Sequence, residues 1–232
     1  MEKPKALVLL SGGIDSTTCL AMAMERYGER NVSALNMFYG QKHQREISAA
    51  RQVASHYGIL YMEMDLSCVM QYSDCPLLAH SDREIRHESY ANQLKAIGGE
   101  GTVDTYVPFR NGLFLSAAAS VALSIGASVI YYGAHADDAA GRAYPDCTPE
   151  FARSMDEAIR EGTGGKVTLH APLIDWNKAR VVAEGLKLHA PYKYTWSCYE
   201  GGDKPCGACG TCIDRAAAFA ANGVPDPAQL GK

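Results

Sequence analysis

The stretch ALVLLSGGIDSTTCL, residues 6–20, constrains the fold of this chain more than any other segment. An unbroken apolar run, residues 6–10, stops at Ser11-Gly12-Gly13. A short apolar run bounded by turn residues reads as a strand covered on both faces, as in a parallel sheet. Residues 16–26 then carry a helical pattern that ends at Gly28. A strand that turns through glycines directly into a helix is the first half of a βαβ unit.

The alternation continues along the chain. Strands are predicted over 5–10, 32–38, 59–64, 128–132 and 167–170. Helices are predicted over 16–26, 41–56, 111–125, 149–161 and 177–188. Strands and helices in strict alternation predict an α/β fold, a parallel sheet with helices on both faces. Between 65 and 105 the pattern blurs, with Pro76, Gly98-Gly99 and the charged string HSDREIRHESY. That segment reads as an insertion or lid over the sheet edge. The organisation predicted is an α/β domain over 1–194, with 195–232 a cysteine-bearing segment packed on the same domain.

The chain has 232 residues, 47% of them apolar, which suits one folded domain and argues against disorder. A net charge of −4 weakens any reading in which a nucleic acid is the partner. No apolar run approaches the roughly 20 residues of a membrane span. The N-terminal run is shorter than the roughly 7–15 residues of a signal-peptide core. The chain is therefore read as cytoplasmic, with neither membrane nor nucleic acid as partner.

The turn after the first strand has the parts of an anion cradle. Gly12 and Gly13 let backbone N–H groups approach a ligand, and the helix that follows presents the positive end of its dipole. Ser11, Ser16 and Thr17 add hydroxyls. The lysine of a GxxxxGK[ST] loop is absent, and the spacing is not GxGxxG. On the glycines alone, a plain strand-to-helix turn is an equal reading.

Eight cysteines are present, and Cys198, Cys206, Cys209 and Cys212 fall within fifteen residues. Two CxxC steps overlap in CGACGTC. Four thiolates at this spacing suit a closed, structural tetrahedral zinc site, with an iron–sulfur cluster as the competitor. Disulfides are disfavoured in a reducing cytoplasm.

Further candidates sit after other strands. FYGQKHQRE supplies Tyr39, Gln41, His43 and Glu46, although His43 by itself reads more readily as a helix-surface residue. VPFRNGLFLS supplies Arg110 and Asn111; Asn111 is a possible N-cap, while a cation at a helix start calls for a nearby anion. YYGAHADDAAGRAYPDC supplies Asp137, Asp138 and Asp146. Asp137 and Asp138 also fit a solvated acidic loop. A buried Asp146 carboxylate would accept the amino and ring N–H groups of a purine-like edge. Lys178 pairs with phosphate or is an exposed helix lysine.

SGGIDST resembles the PP-loop of the N-type ATP pyrophosphatases. Taken with FYGQKHQRE, VPFRNGLFLS, YPDC followed by PEF, and TWSCYEGGDKPCGACGTC, in this order over nearly the whole chain, it is similar to the 7-cyano-7-deazaguanine synthase family. The resemblance implies an adenine nucleotide alpha-hydrolase-like, Rossmann-like sheet with a C-terminal Cys₄ zinc loop. It implies ATP with Mg²⁺ as co-substrate and a structural Zn²⁺. The substrates implied are 7-carboxy-7-deazaguanine and ammonia, and the product is the nitrile, in queuosine biosynthesis. Each activation by ATP would release AMP, with the loop holding the departing pyrophosphate. On this reading Leu10, Ser11, Gly12, Gly13, Ile14, Asp15, Ser16, Thr17, Tyr39 and Arg110 bind nucleotide. Gln41, His43, Arg110, Asn111, Asp137 and Asp146 bind substrate. Ser11, Asp15, Ser16 and Lys178 act in catalysis, Asp15 through Mg²⁺ or backbone N–H groups. A homodimer is implied, and ammonia would come free or from a separate partner. Two competing readings share some of these features: a PP-loop enzyme that thiolates tRNA, and a zinc-ribbon nucleic-acid-binding protein.

Overall fold

A computed structural model describes residues 5–228. Five strands form one parallel sheet in the order β3-β2-β1-β4-β5. They are β1 (Ala6–Leu9), β2 (Val32–Phe38), β3 (Leu60–Asp65), β4 (Val129–Tyr131) and β5 (Thr168–His170). The chain winds outward from β1 through β2 to β3, then returns to the other side of β1 for β4 and β5. The register pairs Val8 of β1 with Ala34 of β2 and with Tyr131 of β4. The result is the Rossmann-like α/β fold that the alternation predicts.

The helices are α1 (Ile14–Tyr27), α2 (Arg45–Tyr57), α3 (Ser67–Met70), α4 (Tyr90–Ala96), α5 (Arg110–Ile125), α6 (Ala136–Ala139), α7 (Pro149–Gly162), α8 (Lys178–Lys187) and α9 (Gly210–Ala221). Both faces of β1 are buried, which is why its sequence shows no polar alternation. Ala6 and Val8 point into a core with Leu20 of α1, Val53 of α2, Val181 of α8 and Phe219 of α9. Leu7 points into the opposite core, with Leu115 of α5 and Ile159 of α7. No helix among the described residues is long and apolar enough to cross a membrane.

Four helix starts differ from the sequence pattern, that of α8 by one residue because Asn177 is its cap. α1 begins at Ile14, two residues early, because Gly13 turns the backbone at once. α2 begins at Arg45 rather than residue 41. Gln41 is used elsewhere: it forms an isolated antiparallel bridge with Leu78, and its side chain accepts the Tyr39 N–H. α5 begins at Arg110 behind Phe109, a left-handed N-cap at φ 52°, so Asn111 lies inside the helix and is not its cap. Residues 65–105 hold only α3 and α4 as helices. Met70, Cys75, Leu77, Leu78 and Ile85 of this segment form a third core with Tyr39, Val107, Cys198, Cys209 and Cys212. The insertion and the cysteine segment therefore bury each other.

Candidate active site

In an open parallel sheet, ligands bind beyond the carboxyl ends of the strands, where the strand order reverses. Here that point lies between β1 and β4. A cavity of about 240 Å³ opens there, walled by the turns after β1, β2 and β4, the start of α5, and residues around Trp196 and Tyr199.

At one end is the glycine turn. Gly12 adopts φ +90°, and a Cβ on it would lie 2.3 Å from the Glu46 carbonyl oxygen and 2.7 Å from the Ala50 nitrogen. Only glycine lets the turn lie this close to α2. The Gly12 carbonyl accepts the Trp196 N–H at 3.0 Å, which ties the turn to the cysteine segment. Gly13 is the N-cap of α1 and offers no side-chain cap, so the end of this helix is available to an anion. Ser16 Oγ lies 3.0 Å from Ser11 Oγ and accepts the Ser11 N–H at 3.2 Å. Leu10, Ser11, Gly13, Asp15 and Ser16 line the cavity. Gly12, Ile14 and Thr17 do not; Ile14 and Thr17 are buried beneath the turn. On the far side, a Cβ at Gly133 would come within 3.3 Å of the Ser16 nitrogen, so the end of β4 and the first turn of α1 meet here backbone to backbone.

Next to the turn is a charge cluster. Lys178, the first residue of α8, donates to Asp15 Oδ2 at 2.5 Å and lies 3.3 Å from His135 Nε2. His135 Nε2 is 3.2 Å from Asp138 Oδ2 and 3.7 Å from Asp15 Oδ1. Burial alone would raise the Asp15 carboxyl, but the Lys178 and His135 charges overcome it and hold Asp15 below its ordinary range. Burial opposes the charge on Lys178 too, yet Asp15 and Asp138 keep its ammonium above the usual value. Asp138 and Asp214, which also line the cavity, are pushed up by burial. Asp137 is outside the cavity: its Oδ2 accepts the Lys178 N–H at 2.7 Å and fixes the start of α8. Sequence reasoning did not single out His135. Its position directly after a strand on the same sheet edge was the available signal.

The opposite end is aromatic. Tyr39, Tyr90, Phe114 and Tyr199 line it, with Gln41, Glu46, Arg110, Asn111 and Cys147 among them, while Trp196 borders the glycine turn. Arg110 lies 5.0 Å from the Tyr39 ring centroid and 5.9 Å from that of Phe114, and its Nε is buried without a hydrogen-bond partner. The Tyr90 and Tyr199 hydroxyls share a hydrogen bond of 2.8 Å, so the insertion and the cysteine segment meet over the cavity. Asp146 is buried behind this wall. Its Oδ2 accepts the Asn111 N–H at 2.9 Å, Oδ1 has no partner among the described residues, and it does not line the cavity. His43 also lies outside the cavity, against Gly201 and the backbone of the cysteine segment, and burial lowers its pKa.

The four clustered cysteines converge. The sulfurs of Cys198, Cys206, Cys209 and Cys212 all lie within 4.8 Å of one another. A tetrahedral ion bonded to sulfur at about 2.3 Å sets the sulfurs about 3.8 Å apart, so the cluster is close to a ligand set. The donor chemistry also fits. Cys198 Sγ accepts the Cys206 N–H at 3.2 Å, and Cys206 Sγ accepts the Cys209 N–H at 3.3 Å. Hydrogen bonding from Cys212 favours the Cys209 thiolate and holds its pKa well below the ordinary thiol range. These four residues can hold a metal ion.

Comparison with known proteins agrees with this architecture. The family described as "Queuosine biosynthesis protein QueC" matches residues 5–223. A 7-cyano-7-deazaguanine synthase of Archaeoglobus fulgidus is 42% identical over 96% of this chain and 89% of its own length. The synthase of the same name from Oceanobacillus iheyensis is 40% identical over 98% of each chain. That of Thermoplasma acidophilum is 42% identical over 100% of this chain and 94% of its own. With the PP-loop turn at the sheet's switch point and the match spanning nearly its whole length, the chain belongs to the QueC family of queuosine biosynthesis proteins.

Proposed function

We propose that the protein is an ATP-dependent ligase that forms carbon–nitrogen bonds, converting 7-carboxy-7-deazaguanine and ammonia to 7-cyano-7-deazaguanine. The observation that carries this reading is the two-ended cavity. An anion-binding turn with an uncapped 14-residue helix lies at one end, and flat aromatic faces around a half-buried arginine lie at the other. A nucleotide phosphate chain and a planar carboxylated base need this pair of surroundings.

The carboxylate is a poor electrophile because its oxygen is a poor leaving group. Attack of a carboxylate oxygen on the α-phosphorus of ATP converts that oxygen to part of AMP and expels pyrophosphate. Ammonia then adds to the acyl carbon, AMP departs, and the amide remains. The amide oxygen attacks a second ATP in the same way. Loss of that AMP and of the remaining N–H protons leaves the nitrile. In both rounds Ser11, Gly13 and Ser16 would hold the pyrophosphate through N–H and hydroxyl donors. Lys178, fixed by Asp15, would neutralise charge that develops as pyrophosphate leaves, a preorganised electrostatic role. Asp15 Oδ1, which makes no hydrogen bond, and Asp138 would hold Mg²⁺, which when bound neutralises phosphate charge. Tyr39 and Arg110 stand where nucleotide or base would stack, and Gln41 and Asn111 beside them supply polar contacts. Asp146 and His43 would act from behind the wall, by positioning Asn111 and the cysteine segment. Zinc in the four-cysteine site would be structural, since four protein ligands leave no open position. Residues 65–105 would serve as a cover that excludes water from the reacting groups. The reading also places the protein in the cytoplasm as a homodimer, on the sequence resemblance.

Mass spectrometry after incubation with ATP, Mg²⁺, ammonium and the carboxylate tests this. The expected products are the nitrile and AMP. ADP with orthophosphate, or AMP release that requires added tRNA, would refute it.

A further inference from the structure

The cavity is lined by four carboxylates among the described residues: Asp15, Glu46, Asp138 and Asp214. Three of them belong to the cluster around Lys178. Glu46 stands apart at the aromatic end. Among the described residues it has no hydrogen bond and no ion pair within 4 Å, although it is half-buried. Its neighbour in charge is Arg110, whose Nε is buried and unpartnered among the described residues. An acceptor and a donor, both without partners among the described residues, therefore line one cavity, the donor beside the Tyr39 and Phe114 rings.

Withdrawing the Arg110 Nε from water without a partner is costly, so the native structure keeps it where a ligand completes it, and the Glu46 carboxylate lines the same cavity. Glu46 lies in the first turn of α2, where the helix dipole favours a negative charge. If that were its whole purpose, its carboxyl would sit low. Burial instead pushes it up to about 7, with Arg110 offsetting only part of the effect. The backbone at Glu46 is also held against the glycine turn, because its carbonyl occupies the space that a Gly12 side chain would need. Its carboxyl is thus set at a fixed position relative to the phosphate end.

We propose that Glu46, with Arg110 beside it, is the specificity residue that reads the 2-aminopyrimidinone edge of the base. This rests on the proposed function. The edge presents two adjacent N–H donors next to a carbonyl oxygen. A carboxylate accepts both donors and a guanidinium donates to the oxygen, which is charge-assisted pairing with a fork geometry. Bound this way, the base turns its five-membered ring and the carboxylate on it away from Glu46, into the cavity. Asp146, the other carboxylate suited by sequence to this task, has one oxygen committed to the Asn111 N–H and does not line the cavity.

Calorimetric binding tests the assignment independently of turnover. The probes are 7-carboxy-7-deazaguanine and its analogue lacking the 2-amino group, each titrated into wild type, Glu46→Gln and Asp146→Asn. Wild type is expected to prefer the 2-amino compound by roughly 10–100-fold, the range of hydrogen bonds to a charged group. Glu46→Gln should lose that preference, with affinity for the analogue and for ATP unchanged. Asp146→Asn should keep the preference. Equal losses of both compounds in Glu46→Gln, or loss of the preference in Asp146→Asn instead, would overturn the proposal. Should Glu46→Gln fold poorly, Glu46→Asp gives the same contrast by withdrawing the carboxylate about one methylene. A wild type that shows the preference but makes no nitrile would refute the proposed reaction and leave the assignment of Glu46 standing.

Discussion

At the loop end of the cavity, Ser11, Gly13, Asp15 and Ser16 come from six consecutive residues; at the aromatic end, Tyr39, Tyr90, Phe114 and Tyr199 come from four separate segments. The loop end is shaped by a strand, a turn and a helix that would take this geometry in many contexts. The aromatic end exists only if the insertion, the start of α5 and the cysteine segment are all docked. One end is therefore a local device and the other a product of long-range packing. The difference teaches that the same cavity can lose one ligand site and keep the other.

Removing the proposed zinc from the cysteine site should give the largest effect, because structural zinc sites in small units are worth about 10–16 kcal/mol at neutral pH. Cys198, Cys209 and Cys212 share a core with Tyr39, Leu78 and Val107. Chelation, or Cys209→Ser, is expected to lower Tm sharply and abolish binding of the base, while ATP binding at the turn survives in part. Calorimetry with each ligand checks this, and equal loss of both would break the comparison.

Gly12→Ala attacks the loop end by geometry. The new Cβ would meet backbone atoms of α2 at 2.3 and 2.7 Å, in a backbone conformation at φ +90°. A destabilisation of about 3 kcal/mol or more is expected in urea unfolding, since neither backbone can yield cheaply. A loss under about 1 kcal/mol would show that α2 is free to move away from the turn.

Lys178→Met should separate chemistry from base binding. We expect kcat to fall by roughly 10²–10³ with the base KM unchanged, as for loss of one preorganised charge. The pair also has a signature in pH. Asp15 is held below its ordinary pKa, so its contribution is present above about pH 4 and lost as pH falls through the folded value. Lys178 is held above its ordinary pKa, so its contribution is present below about pH 10 and lost as pH rises through the folded value. The stability gap between wild type and Lys178→Met should be flat between these limits and narrow toward acid. A gap that widens toward acid would place the charge partner elsewhere.

The smallest effect belongs to Tyr90→Phe. It removes one hydroxyl from the 2.8 Å hydrogen bond with Tyr199 and leaves the ring in place. About 1 kcal/mol, or roughly fivefold in base affinity, is expected, with no change for ATP. A matching loss for ATP would mean that the two ends are coupled through Trp196 and the Gly12 carbonyl.

Much of the fold was legible because periodicity is a local signal. The strands and the long helices appear within two residues of their predicted bounds, apart from the start of α2, which moved to Arg45 once Gln41 was drawn to Leu78. The insertion was not legible. Met70, Cys75, Leu77, Leu78 and Ile85 carry no helical or strand period, because each is buried by a partner far along the chain. The helix-cap reading of Asn111 failed for a similar reason: Phe109 takes the left-handed cap, and the Asn111 side chain reaches Cys147 and the Asp146 carbonyl.

The amino-acid sequence alone determined the parallel sheet, the glycine turn at its leading strand and the convergence of four cysteines. Each depends on residues close in the chain, where steric preference and spacing act without help. Tertiary structure decided which charged groups face one another. Asp15 meets Lys178 and His135 across the sheet, and Glu46 is left facing Arg110. Such encounters depend on how the layers pack, and no spacing in the chain encodes a distance between residues that only folding brings together.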